Sequence, residues 1–165
     1  MGSGASVREA TQDDLEAIRR LHHALCLNER EMGFDSDLDP DASFSEHFTA
    51  YLKARITENT GLALVALQDE EVAGYLLGDV DDGKDALTAH LESMFVVPAN
   101  RRGGIGRMLA GRFLEWVKAK GATRTTVAVA PGNQEAIGLY RALGFKDRTL
   151  ILEMRSPQGE GLHNA

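Results

Sequence analysis

The sequence predicts an α/β chain built on one mixed sheet with helices on both faces. Three observations carry that expectation. Apolar spacing switches between helical and strand periods in the order β-α-α-β-β-β-α-β-α-β. Two apolar runs, 62–67 and 72–80, flank a polar turn and read as an antiparallel hairpin. A later strand–helix–strand unit needs a parallel crossover. The 165 residues favour a single domain, expected over 5–155. Met1-Gly2-Ser3-Gly4 reads as an expression scar and 156–165 as a flexible tail.

Each element has a local reason. Residues 5–10 alternate weakly and suit a first strand. Thr11 can cap a helix whose first turn holds Asp13 and Asp14, and Leu15, Ile18, Leu21 and Leu25 fall on one face over 13–28. Residues 33–42 hold Asp35, Asp37, Asp39 and Asp41 and read as a loop, without the Gly and Glu that a calcium loop needs. A second helix is expected over 43–58, with Phe44, Phe48, Tyr51 or Leu52, and Arg55 or Ile56 along one face. Gly74 and Gly78 interrupt the second hairpin strand and mark bulges. An acidic turn is expected over 79–85. A long strand follows over 87–97, stopped by Pro98. Ile105, Met108 or Leu109, Phe113, Trp116 and Val117 make 104–120 a helix, closed by Gly121. A strand over 125–130 places Thr125, Val127 and Val129 on one face. Asn133 caps a helix over 134–143 that ends at Gly144, and 145–154 supplies one last strand or two broken ones.

Composition excludes several function classes. Hydrophobic residues make up 43% and charged residues 26%, ordinary for a folded soluble domain. No apolar run approaches the ~18 residues of a membrane span, and no signal-peptide pattern opens the chain, so the expected location is cytoplasmic with no membrane partner. The net charge of -7 argues against a nucleic-acid partner, since phosphate neutralisation needs surplus Lys and Arg. Cys26 is the only cysteine, so no internal disulfide or multi-cysteine zinc site exists. It sits on an amphipathic helix without an activating partner and reads as a buried apolar residue. His22 and His23 are adjacent on that helix, point apart, and make no metal pair; no metal is expected. The total charge conceals a division. Residues 28–92 carry sixteen acidic and four basic side chains, whereas 98–124 carry seven basic ones against Glu115 alone. Either run can simply be a solvated surface. Together they raise the question of which anion the basic segment holds and which cation the acidic one faces.

The strongest local signal is Arg101-Arg102-Gly103-Gly104-Ile105-Gly106, between a predicted strand and a predicted helix. The first N–H groups of a helix lack partners and carry the positive end of its dipole, and glycines let a ligand approach the backbone. Such a loop suits a phosphate or pyrophosphate. It can equally be a turn that lets strand and helix pack. Leu109 stands where a dinucleotide fingerprint needs glycine, and no G-x-x-x-x-G-K-[ST] motif occurs.

The loop, read as Arg101-x-x-Gly104-x-Gly106 after the strand Leu91-Glu92-Ser93-Met94-Phe95-Val96-Val97-Pro98, resembles motif A of the GNAT superfamily of acetyl-CoA-dependent N-acetyltransferases. Asn133-x-x-Ala136-x-x-Leu139-Tyr140-x-x-Leu143-Gly144-Phe145 resembles the family's second signature. The resemblance covers about residues 60–155. It implies a mostly antiparallel sheet of six to seven strands with a splayed parallel pair, and about four helices on both faces. It implies acetyl-CoA as co-substrate. The amides of Arg102, Gly103, Gly104, Ile105, Gly106 and Arg107 would bind the pyrophosphate, with Arg101 contributing charge. Met94, Phe95 and Val96 would pair with the pantetheine arm as a peptide pairs with a sheet edge. The N–H of Val96 or a neighbour would face the thioester oxygen. Asn133 would hydrogen-bond the arm, cap its helix, or both. The resemblance also admits a homodimer.

Acyl transfer to an amine needs two proton events. An alkylammonium with a pKa near 10 is only about one part in a thousand free amine at neutral pH, a handicap of roughly 4 kcal/mol. Tyr140 matches the family tyrosine near the cofactor sulfur and is assigned as general acid to the departing thiolate. The alternative is a core tyrosine whose hydroxyl merely finds a partner. Glu92 is the candidate base, since a carboxylate inside an apolar strand needs a reason. Its alternatives are a solvent-facing residue or a structural partner for an arginine. Branches acting on polyamines and aminoglycosides have a similar Leu-Glu-x-(apolar)-(aromatic)-Val strand. His90 is a second candidate on the same strand. No Ser or Cys is placed for a covalent intermediate, so the expected mechanism is direct attack in a ternary complex. The acidic 28–92 segment points to a cationic small-molecule amine as acceptor. A protein N-terminal or lysine acetyltransferase and a non-catalytic acyl-CoA sensor are the rival readings.

Overall fold

The computed structural model describes residues 4–35, 37–83 and 86–156. The expectations for Met1-Gly2-Ser3, for Lys84 and Asp85 of the acidic turn, and for 157–165 lie outside the described residues. Strand β1 spans Ser6–Glu9, helix α1 Leu15–Glu31 and helix α2 Glu46–Thr57. Strands β2, β3 and β4 span Gly61–Gln68, Glu71–Asp82 and Leu87–Val96. Helix α3 spans Ile105–Lys120, strand β5 Arg124–Val127 and helix α4 Gln134–Ala142. The sheet order is β1-β2-β3-β4-β5, antiparallel except for the final parallel pair. No helix among the described residues is long and apolar enough to cross a membrane.

Strand alternation sorts the side chains into two cores. Leu62, Leu64 and Ala66 of β2, Leu76 and Val80 of β3, and Ala89 and Leu91 of β4 face Ile105, Leu109, Phe113 and Val117 of α3. Ala63, Val65, Tyr75 and Leu77 face Ile18 of α1 and Leu52 of α2 on the opposite side. Helices therefore cover both faces, as expected. Two caps sit where the sequence places them, whereas Thr11 precedes a 3-10 turn over Gln12–Asp14 and Asp14 is the N-cap of α1. Asn133 Oδ1 accepts from the Ala136 amide at 3.1 Å, and Gly121 adopts a left-handed φ of +77° after α3. The second helix starts at Glu46 rather than at 43, because Ser45 caps it by accepting from the Phe48 amide at 3.1 Å.

Three expectations need correction. The described sheet has five strands, not six to seven. The last expected strand, within 145–154, is unformed: no backbone hydrogen bond among the described residues reaches 146–156, and those residues are exposed. Its residues have strand character, but a strand exists only when an edge pairs with it. Third, Asp79, Asp81 and Asp82 belong to β3 rather than to a loop, paired in register with His90, Thr88 and Leu87 of β4. Extended backbone there buries Val80 in one core and turns the neighbouring acids to the other face.

The glycines of β3 serve packing. A Cβ on Gly78 would lie 2.5 Å from Phe113 Cε2, and one on Gly74 would lie 2.9 Å from the Phe95 carbonyl. Register shifts lie beside them, at Ala66/Leu67 and at Leu77/Gly78. The second shift leaves Glu92 as the extra residue of β4, since Ser93 pairs with Leu77 and Leu91 with Gly78. Facing reverses across it: Leu91 packs toward α3, while Phe95 packs toward α1 and α2.

Candidate active site

The glycine loop forms the N-terminus of α3. Arg102 and Gly104 adopt left-handed φ values of +64° and +86°, which turn the loop back on itself. Gly104 is the N-cap residue and supplies no side-chain cap. Arg101 N–H donates to Pro98 and Met108 N–H to Gly104, but no backbone acceptor meets the intervening amides of Arg102, Gly103, Gly104, Ile105, Gly106 and Arg107 among the described residues. These are the six donors expected from sequence. Gly106 is held close by Leu139 of α4 and by Met94 and Val96 of β4, so the loop, α4 and the strand meet there.

Strand β4 supplies an open edge beside that loop. Its pairing with β5 runs from Thr88↔Arg124 to Leu91↔Val127 and then stops, so no strand among the described residues pairs with 92–96 on that side. Val97 N–H donates to Ala73 of β3 at 2.9 Å. By alternation, Met94 and Val96 aim their backbone groups at the open edge, whereas the Phe95 backbone belongs to the β3 ladder. The Phe95 side chain is buried, with the Arg101 guanidinium 5.2 Å from its ring centre. Arg101 Nε also donates to the Val96 carbonyl at 2.9 Å. Arg101 thus fastens the loop to β4. Arg102 and Arg107 are exposed and engage no described residue.

Tyr140 lies on α4 with its ring buried against Phe145, centroids 5.6 Å apart. Burial raises its pKa, so the phenol keeps its proton at neutral pH. Its hydroxyl bonds to no described residue and is not among the sealed polar atoms. A core tyrosine satisfied by a local partner would look different. Asn133, at the start of the same helix, spends Oδ1 on its cap and keeps its amide donors.

Glu92 faces α2, across the sheet from Tyr140. Its carboxylate accepts from Arg55 Nε at 2.6 Å and Nη2 at 2.8 Å. Arg55 Nη2 also reaches Asp79 Oδ2 at 3.2 Å, and the guanidinium stacks 4.5 Å from the Tyr51 ring centre. The three charged side chains are 14–24% exposed. Burial pushes the Asp79 carboxyl up, helped by the like charge of Glu92 and opposed by Arg55. Asp79 Oδ1 is buried without a hydrogen-bond partner among the described residues. His90 bridges Thr126 Oγ1 of β5 at 2.8 Å and Asp81 at 3.2 Å. The acids of 28–92 do not form one bare surface: Asp79 and Glu92 hold Arg55, Asp81 holds His90, Asp41 holds His23, and Asp35 and Asp37 hold Arg155.

The structure thus gathers the loop amides, the β4 edge and Tyr140 on one side of the strand split, and Glu92 on the other. Sequence reasoning missed Arg55, Asp79 and Tyr51 around Glu92, and Thr126 beside His90. The one available signal was Arg55 itself, one of four cations in the acidic segment. No group of three or more His, Cys, Asp or Glu placed to hold a metal occurs among the described residues.

The model of the family described as "Acetyltransferase (GNAT) family" matches residues 17–145. A thialysine N-epsilon-acetyltransferase of Mus musculus is 35% identical over 147 residues, covering 87% of this chain and 85% of its own. An uncharacterised N-acetyltransferase of Methanocaldococcus jannaschii is 24% identical over 149 residues; the match covers 88% of this chain and spans only 62% of that relative. Among solved structures, an aminoglycoside N-acetyltransferase in complex with CoA superposes with a TM-score of 0.70 at 20% identity, covering 94% of this chain and 97% of that one.

Proposed function

The chain belongs to the GNAT acetyltransferase family, and on that premise we propose that residues 5–155 form one domain moving an acetyl group from acetyl-CoA to a primary amine of a cationic small molecule. The observation that carries the reading is the run of six amides beside a strand edge, both without a backbone partner among the described residues. A pyrophosphate matches the first and an amide-rich arm matches the second. When bound, acetyl-CoA supplies an activated acyl group as a thioester.

The chain's own residues do the rest. The amides of 102–107, with the free Arg102 and Arg107, bind and orient the diphosphate. Met94 and Val96 direct backbone donors to the arm, and the Val96 N–H faces developing negative charge on the acyl oxygen. Tyr140, protonated and with an unengaged hydroxyl, gives its proton to the leaving sulfur. Glu92 takes the ammonium proton directly or through a water. Two carboxylates and an aromatic face around Arg55 form a cup for a cation, so an acceptor ammonium competes with Arg55 for Glu92. The names of the relatives fit this class, since thialysine and aminoglycosides both carry primary amines.

Thiol release from acetyl-CoA, measured against polyamines, aminoglycosides, amino acids and peptides, tests the proposal. Turnover with small cationic amines is expected. Turnover with peptides alone would favour a protein acetyltransferase, and tight binding without any turnover would favour a sensor.

A further inference from the structure

Arg55 is shared by two carboxylates that stand in different settings. Its Nε and Nη2 donate to Glu92 at 2.6 and 2.8 Å, and Nη2 also donates to Asp79 Oδ2 at 3.2 Å. Asp79 lies inside the sheet, paired with Gly61 of β2 on one side and His90 of β4 on the other. Glu92 is the bulged residue of β4, at the point where pairing with β5 has ended. One carboxylate is built into the ladder, and the other borders the strand split.

The pairing of Asp79 is incomplete. Its Oδ1 is buried with no hydrogen-bond partner among the described residues, and its Oδ2 shares a donor with Glu92. Burial and the Glu92 charge hold its carboxyl above the ordinary range despite Arg55. A carboxylate in this state suits the two-pronged fork of a guanidinium. Arg55 reaches it by turning its side chain alone. Its Cα is pressed against β2, where a Cβ on Gly61 would lie 2.7 Å away. Its guanidinium lies over the Tyr51 ring, 4.5 Å from the ring centre, and that ring stacks on Phe48. The Tyr51 face supports the fork in either direction.

We propose that Asp79 is a positioning residue that takes over Arg55, through both carboxylate oxygens, when an acceptor ammonium engages Glu92. Two carboxylates share one guanidinium here, so the group is one positive charge short, and the ammonium supplies it. Arg55 is only 14% exposed, so losing Glu92 with no second carboxylate would strand a shielded charge. With Asp79 in place, both cations end paired and the base is released to the acceptor. The catalytic consequence rests on the acetyl-transfer reading, whereas the exchange of Arg55 between carboxylates needs no turnover.

NMR of the Arg55 Nε–H, identified by its loss in Arg55→Lys, follows the exchange directly. The titrant is the small cationic amine that the chain acetylates fastest, or 1,4-diaminobutane if it acetylates none. A saturable shift of the resonance is expected, because Nε leaves Glu92. Asp79→Asn is expected to raise the amine Kd and KM about tenfold, with a much smaller change in kcat and none in CoA affinity. Asp79→Glu, which keeps the charge, recovers most of the lost affinity. An Arg55 resonance that ignores the amine overturns the proposal, whether or not acetyl transfer occurs. So does Asp79→Asn with a wild-type amine Kd, or with a loss confined to kcat. A shifting resonance without thiol release upholds the exchange and overturns the acetyl-transfer reading instead. Should Asp79→Asn fail to fold, the wild-type resonance decides.

Discussion

Glu92→Gln separates a catalytic carboxylate from a structural one. The wild-type carboxylate accepts two bonds from Arg55, at 2.6 and 2.8 Å, with both side chains mostly shielded from water. Charge-assisted bonds contribute about 1.5–3 kcal/mol each, but glutamine keeps one acceptor and Asp79 still holds the guanidinium. The net stability loss is therefore about 1–3 kcal/mol, and each kcal/mol lowers Tm by about 2–4 °C at this length. Loss of a general base lowers kcat/KM by about 100-fold or more near neutral pH. The pH dependence distinguishes the two roles. Free alkylamine rises about 100-fold between pH ~7 and ~9, so a variant that relies on pre-formed free amine recovers across that range. The assay is steady-state thiol release at saturating acetyl-CoA at both pH values, with calorimetric melting alongside. A lowered Tm with unchanged kcat/KM and an unchanged pH profile would refute the reasoning and leave Glu92 as a structural partner of Arg55.

Other expected outcomes follow from the same geometry. Tyr140→Phe lowers kcat by about 100-fold, with CoA affinity by calorimetry nearly unchanged, because only the hydroxyl is removed. Arg102→Ala with Arg107→Ala weakens CoA binding, and the effect shrinks with added salt, since both guanidinium groups are exposed. Gly78→Ala lowers stability by about 1–3 kcal/mol in urea titration, as its Cβ meets Phe113 and the His90 carbonyl. Burial lowers the His22 pKa to about 4 from 6.5, so the unfolded chain binds the proton first as pH falls. The stability that His22 contributes is complete above pH ~6.5 and drains away down to pH ~4, roughly 3 kcal/mol in all. His22→Gln flattens that limb of the pH–stability curve.

Local signals proved legible where a residue's own chemistry decides the structure. The Gly104 loop, the Asn133 cap and the Gly121 stop are set within a few residues, and each formed as read. The periodicity of β2 and α3 likewise identified the core face. Legibility failed where an outcome depends on a partner far along the chain. The acids at 79–82 read as a loop because their composition suggests one. They lie in β3 because β4 pairs with them, and Asp79 meets Arg55, a helix residue twenty-four positions earlier. Glu92 was visible as an anomaly, but its Arg55 partner was not, since side-chain convergence across a sheet leaves no trace in local spacing. The segment 149–154 shows the converse: strand character was legible, and no backbone pairing meets it among the described residues.

The central claim is that the six loop amides and the open edge of β4 form one acyl-CoA site. Amide hydrogen exchange, with and without CoA, tests it most directly. The account predicts slowed exchange at Arg102 through Arg107 and at Met94 and Val96, with little change at Phe95, whose amide already belongs to the β3 ladder. Unchanged exchange at the loop under saturating CoA, or protection confined to another surface, would contradict it.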